Sequence, residues 1–227
     1  MTEKTPVKNR PTVNSKLRHH ILEMPKEIRT ASGIVINGRR IKSLVFTTDI
    51  AIIRNCDADA VLAIYPFTPQ QTISDAIIRN ASIPVFCGVG GGTTNGIRST
   101  LLATDAEAQG AMALVVNAPM GNEDVARIVR NVDIPVVVTV LNENTDIAAR
   151  LEAGASILNV SAAARTPQVV AAIREKFPEV PIIATGGPRP EGILDTIRAG
   201  ANAISYTPPS TKQLFSAMME DYRTREG

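Results

Sequence analysis

The residues best suited to chemistry in this chain recur at fixed offsets from short signposts. Thr139 and Thr185 stand four positions after Pro135 and Pro181, and Gly88 stands four after Pro84. Asn117, Ser161 and Thr207 stand seven positions after Gly110, Gly154 and Gly200, each of which opens a Gly-Ala pair. Hydroxyl and amide groups at a shared offset suit the lining of a ligand pocket, where they donate and accept hydrogen bonds without carrying charge. Thr47 fits the threonine set. Asp49 lies two positions beyond Thr47, and Asn159 two before Ser161. On a strand that spacing returns to the same face, so both are expected to point inward with their neighbours.

Acid–base work falls to Asp49 or to Glu143, the latter in the run Leu141-Asn142-Glu143-Asn144. A carboxyl beside apolar walls has its pKa raised toward neutrality, which suits Asp49 to act as a general acid or base. Asp is also a preferred helix N-cap, and a short helix can begin at Ile50, so both roles stay open. Glycine lets backbone N–H groups turn toward an anion. Three passages offer this: Gly90-Gly91-Gly92-Thr93, Gly186-Gly187, and the segment ending in Ser210. Arg165 and Arg189 are placed to hold an anionic substrate. Cys87 has no visible base beside it and reads as a small core residue. No His, Cys and carboxylate cluster has metal-ligand spacing, although Asp49 is able to join an oxygen-ligated Mg²⁺ site.

Eight short apolar runs must position these groups: 43–49, 60–65, 84–88, 113–117, 135–140, 156–161, 181–185 and 203–207. Nearly continuous apolar character marks strands covered on both faces. Helical spacing of apolar residues over 68–81, 122–132, 145–153, 166–177 and 191–199 separates most of them, and 211–223 follows the last. The segment 50–55 reads as a turn or two of helix. Alternating strand and helix implies parallel strands with right-handed crossovers. The alternation of Pro-led and Gly-Ala-led strands repeats the chain as βαβα quarters, which favours a closed (β/α)₈ barrel, the TIM barrel, over an open sheet. Residues 43–227 form this barrel, and the polar registers fall late in their strands, beneath its carboxyl-terminal mouth. Residues 1–42 form an N-terminal extension, with a helix over 15–28 and a hairpin over 34–41 turning at Asn37-Gly38. His19 and His20 both lie in the extension, so the mouth has no histidine.

Ala184-Thr185-Gly186-Gly187, followed by Ala199-Gly200-Ala201-Asn202-Ala203, resembles the last third of aldolase-type barrels. Keto-deoxy-phosphogluconate aldolases are the nearest of these, and thiamine-phosphate synthases and flavin barrels share a related Gly-Gly passage. The likeness covers roughly residues 150 to 211 and is of superfamily specificity. It implies a phosphate site at Gly186-Gly187 and at the start of the helix after the last strand. Two departures accompany it. Asn159 stands where the aldolases carry the lysine that forms their Schiff base, so no imine can form. Pro208 and Pro209 bring no N–H groups to the loop that normally supplies them, and Pro188 removes another donor.

A net charge of +2 gives no reason to expect nucleic acid as a partner. No apolar stretch approaches the roughly 18–20 residues that cross a bilayer, and the polar start lacks a signal-peptide core. Two cysteines are too few for a stapled secreted fold. A cytoplasmic enzyme is therefore expected, working as a homo-oligomer on a small anionic, phosphorylated or not, metabolite. The expected chemistry is that of a cofactor-independent lyase, isomerase or hydrolase, with Asp49, Asn159 and Glu143 as its catalytic candidates. Two alternatives stay open: an FMN-dependent oxidoreductase using the same loops, and a barrel without catalysis that serves as a binding or assembly subunit.

Overall fold

The structure is a computed structural model that describes Pro11, Val13 and residues 21–225. Eight parallel strands close into one barrel: β3 (Ser43–Phe46), β4 (Ala60–Ala63), β5 (Val85–Gly90), β6 (Ala113–Val116), β7 (Val136–Val140), β8 (Ile157–Val160), β9 (Ile182–Thr185) and β10 (Ala203–Tyr206). Closure runs through β10, whose Ile204, Ser205 and Tyr206 pair with Ser43, Leu44 and Val45. Before the barrel, β1 (Ile34–Ile36) and β2 (Arg39–Ile41) form an antiparallel hairpin. Positions 15–20 of the helix expected over 15–28 lie outside the described residues. Its described end is not α-helical: Leu22 bridges Cys56, and only the 3₁₀ turn Lys26–Thr30 follows.

Two apolar layers make the core. Inside the barrel, Leu44, Leu62, Phe86, Val115, Val137 and Ile183 pack together, and Ile34, Ile36 and Ile41 of the hairpin close the layer from below. Outside it, Val45, Val61, Cys87, Val138, Leu158 and Ile204 pack beneath the helices. This alternation along each strand fixes which residues face the mouth. The signposts have structural reasons. The carbonyls of Pro84, Pro135 and Pro181 accept the N–H groups of Val61, Leu114 and Leu158 on the preceding strands. Gly110, Gly154 and Gly200 all adopt positive φ just after a helix, where a side chain would be strained.

The helices are α1 (Ile50–Arg54), α2 (Gln71–Asn80), α3 (Gly96–Ala108), α4 (Asn122–Val129), α5 (Ile147–Glu152), α6 (Thr166–Lys176), α7 (Pro190–Arg198) and α8 (Thr211–Arg225). Helix α3 is absent from the sequence reading, for a physical reason. The residues it buries are Ser99, Thr100, Ala103 and Ala106, while its large Ile97 and Leu101 face outward. A helix that buries small residues has no apolar stripe to detect.

Candidate functional site

Strand alternation places Phe46, Ile64, Gly88, Asn117, Thr139, Ser161, Thr185 and Thr207 at the upper inward positions, above Leu62, Val115, Asn159 and Ser205. The wall is two-sided. From β7 to β10 it is polar, and from β3 to β4 it is apolar, continued by Tyr65 and by Phe67, which is 74% exposed. Among the described residues, none of these inward positions carries a carboxylate, an amine, an imidazole or a thiol.

The polar arc is linked by long hydrogen bonds. Asn159 Nδ2 donates to Thr139 Oγ1 at 3.3 Å. Ser205 Oγ donates to Thr185 Oγ1 at 3.5 Å, and Thr185 Oγ1 donates to Ser161 Oγ at 3.3 Å. Asn159 is only 5% exposed, and its Oδ1 has no partner. A buried, unpaired carbonyl costs on the order of 1–3 kcal/mol, so the wall gives up stability at this point.

Thr47 does not join this arc. Alternation from Leu44 sends Thr47 to the helix side with Val45, and its Oγ1 accepts from the N–H of Asp49 at 3.1 Å. Phe46 takes the inward place. A leading proline marks the register of β5, β7 and β9, and the first barrel strand has none, so its phase differs by one residue from the one its threonine suggests. Asp49 likewise turns from the mouth. Its Oδ1 accepts from the N–H groups of Ala51 at 2.8 Å and Ile52 at 3.3 Å, capping α1, and its Oδ2 accepts from Thr211 Oγ1. Glu143 is ion-paired with Arg165 on the exposed rim. A hydrogen bond from its own backbone, reinforced by Arg165, holds its carboxyl below the ordinary range. Cys87 lies under the helices, where burial pushes its thiol up to about 11.

The glycine loops differ in what they offer an anion. In the β5–α3 loop, the N–H of Gly91 is taken by the carbonyl of Thr94, and the N–H of Gly96 by Asp124 Oδ2 at 3.0 Å. A carboxylate already occupies the positive end of α3, which disfavours a second anion there. Gly90, Gly92, Thr93 and Asn117 instead border a small cavity of about 180 Å³ shared with Tyr65 and Phe67. At α8, the Ser210 Oγ accepts from the Gln213 N–H, and Gln213 Oε1 accepts from the Ser210 N–H, so this helix start is self-capped. The exposed Thr207 lies before it. A larger cleft of about 890 Å³ opens beside β9, lined by Thr185, Gly186, Gly187 and Arg189, by the carboxylates of Glu191 and Asp195, and by the start of α6. The N–H of Gly186 is held by the carbonyl of Ser205 at 3.3 Å.

Ser205 was not singled out in the sequence, although a signal existed. It stands five positions after Gly200, as Asn159 stands five after Gly154. Phe46 and Tyr65 were missed because an apolar residue at a strand end looks like core. Among the described residues no three His, Cys, Asp or Glu side chains gather, and Asp49 and Glu143 are each engaged in other bonds. Asp49, the carboxylate suited to join a Mg²⁺ site, has both oxygens bonded to Ala51, Ile52 and Thr211.

No family model matches the chain, and no curated protein matches it in sequence. Solved structures do share its architecture. Phosphonopyruvate hydrolase in complex with oxalate and Mg²⁺ aligns with a TM-score of 0.65 at 16% identity, over 84% of each chain. Phosphoenolpyruvate phosphomutase from Streptomyces platensis subsp. rosaceus aligns with a TM-score of 0.62 at 12% identity, over 88% of this chain and 84% of that one. Dihydrodipicolinate synthase DapA-2 from Bacillus anthracis aligns with a TM-score of 0.54 at 15% identity, over 73% and 69%. At these identities the likeness is one of fold: the chain is a closed (β/α)₈ barrel.

Proposed function

We propose that the protein is a cytoplasmic barrel enzyme, a lyase, isomerase or hydrolase, that holds a small anionic metabolite in its carboxyl-terminal mouth without a Schiff base or a carboxylate-bound metal. The observation that carries this reading is the unpartnered Oδ1 of Asn159, set below the hydroxyls of Thr139, Ser161 and Thr185. Names of the similar folds support the anionic class: one holds oxalate, and another is a phosphoenolpyruvate phosphomutase. The charged end of such a ligand fits the Gly187 and Arg189 side of the cleft, away from Glu191 and Asp195 that also line it, and its polar body reaches Thr185.

With no ionisable side chain among the described residues of the inner wall, this barrel acts by orientation and by hydrogen bonds to developing charge rather than by a protein acid or base. Thr139 and Ser161 each accept one hydrogen bond within the wall and keep an O–H free for the ligand. The FMN alternative loses support, because the α8 start, half of the phosphate seat implied by the resemblance, is self-capped. The non-catalytic alternative gains it from Asp49, both of whose oxygens are bonded away from the mouth. A homo-oligomer remains part of the proposal, supported by Leu214, Phe215 and Tyr222, which α8 leaves exposed.

The test is a thermal-shift screen of small carboxylates and their phosphorylated forms, followed by product analysis of every compound that shifts the midpoint. Stabilisation that disappears in Asn159→Leu, with turnover of the same compound, is expected. Binding without turnover selects the non-catalytic reading. Stabilisation unchanged in both Asn159→Leu and Thr185→Val places the ligand elsewhere and overturns the site.

A further inference from the structure

The glycine loop after β5 borders a cavity whose chemistry differs from that of the cleft at Arg189. This cavity, of about 180 Å³, lies at β4, β5 and β6, and β5 stands opposite β9 in the barrel. Among the described residues, none that lines it carries a charge. Ile64, Tyr65, Phe67 and Val115 give it apolar and aromatic surface, and Phe67 is 74% exposed. Its polar side holds Thr94 and Asn117. Thr94 is only 4% exposed, and its hydroxyl bonds no described residue. That hydroxyl is not sealed within the protein as Asn159 Oδ1 is, so the surface left to it opens on the space that Thr94 borders. The side-chain amide of half-buried Asn117 is likewise unbonded to any described residue.

The space is held open by the fold. Gly88 takes the upper inward position of β5, where a Cβ would lie 3.2 Å from the Ala63 carbonyl and 3.3 Å from Ile64 Cγ1. The Gly91 N–H and Ser99 Oγ both donate to the Thr94 carbonyl, and the Asn117 N–H donates to that of Gly90. These bonds set Thr94 and Asn117 in place beforehand, which lowers the cost of ordering them around a ligand. An amide offers a donor beside an acceptor whichever way it is turned, and a hydroxyl offers both as well. Their complement is a neutral group that also carries a donor beside an acceptor. An ion would lose its hydration here without gaining a counter-charge. An apolar cavity of about 150 Å³ holds one benzene molecule, so this one has room for a single six-membered ring with few substituents. Aromatic surface suits the flat face of such a ring. We infer that the cavity is a second binding site, for a neutral planar ring that carries a lactam or carboxamide group. It is independent of the anionic ligand proposed for the cleft at Arg189.

The experiment uses uracil as the lactam probe and benzamide as the carboxamide probe, with affinities for the full-length protein read by calorimetry and ligand-observed NMR. Each probe has analogues that change one property. Dihydrouracil and cyclohexanecarboxamide lose the flat ring, N-methylated uracil and acetophenone lose the N–H donors, and benzoate exchanges the amide for a charge. At least one probe is expected to bind about tenfold tighter than its own analogues. Uracil alone identifies the ring as a lactam base, and benzamide alone as a carboxamide. Phe67→Ala, at an exposed position, should weaken the preferred probe about two- to tenfold. Asn117→Leu should bring that probe level with its donor-free analogue, and circular dichroism verifies the fold. Thr94→Val removes a hydroxyl that bonds no described residue, and gives a second reading of the same loss should Asn117→Leu fail to fold. Analogues that bind as tightly as their parent probes overturn the ligand class. Affinities unchanged in Phe67→Ala, Asn117→Leu and Thr94→Val overturn the site, as does the failure of every ring compound to bind. Binding of a phosphorylated carboxylate at Arg189 is read separately, so either site can fall while the other stands.

Discussion

Asp49 shows how one carboxylate answers two demands that its sequence context cannot rank. A residue at the end of the first barrel strand is well placed for catalysis, and the residue before a helix is well placed to cap it. The structure gives the second geometry, with Oδ1 on the free N–H groups of Ala51 and Ile52 and Oδ2 on Thr211. Asp49→Ala is therefore expected to lower stability by about 0.5–2 kcal/mol in urea unfolding, the usual cost of losing an N-cap. Asp49→Asn keeps a capping oxygen and should stay close to wild type. Neither change should alter ligand affinity at Asn159. A loss of affinity in Asp49→Asn, with stability intact, would instead return Asp49 to the site. Asn159 poses the reverse problem. The sequence marks it by its spacing from Ser161 and, through the resemblance, as the position of a missing lysine, and its bonding emerges only once its neighbours are known.

At the scale of elements, strands were legible because burial on both faces writes apolar runs, and leading Pro and Gly residues mark where each begins. Helices were legible where they bury large residues. Helix α3 was hidden because it buries serine, threonine and alanine, and the phase of β3 because no proline leads it. Register explains the site error too. Shifting a strand by one residue exchanges its faces, so Thr47 and Phe46 traded places while Thr139, Thr185, Asn117 and Ser161 stayed inward. The β5–α3 loop shows what its glycines are for. A Cβ on Gly90, at φ 137°, would lie 2.3 Å from Ser99 Oγ and 2.5 Å from the carbonyl of Thr94. A Cβ on Gly92 would meet nothing within 4 Å. Gly90→Ala should thus cost about 2 kcal/mol or more through strain and overpacking, whereas Gly92→Ala should stay within about 0.5 kcal/mol of wild type. Paired denaturation curves decide this, and equal costs would mean that the loop is not held as described.

For the whole molecule, the barrel and its site make opposite demands on stability. The closed sheet, the hairpin beneath it and the helix layer bury apolar side chains throughout, yet the upper floor keeps an amide and hydroxyls joined by bonds of 3.3–3.5 Å. Such bonds are long, and the orphan Oδ1 among them costs free energy that the fold has no need to bear. Packing alone would favour apolar side chains there, as at Val115 and Leu62 in the same layer. Replacing both partners of a buried polar pair by apolar groups of similar shape is often neutral or stabilising, whereas removing one strands the other. The double variant Thr139→Val, Asn159→Leu is accordingly expected to unfold at or above the wild-type midpoint, with the barrel's circular dichroism intact, while ligand-induced stabilisation is lost. Asn159→Leu alone leaves Thr139 without its partner and should be the less stable of the two. If the double variant were destabilised by several kcal/mol instead, the polar floor would be part of what holds the barrel together. Its retention would then need no ligand to explain it.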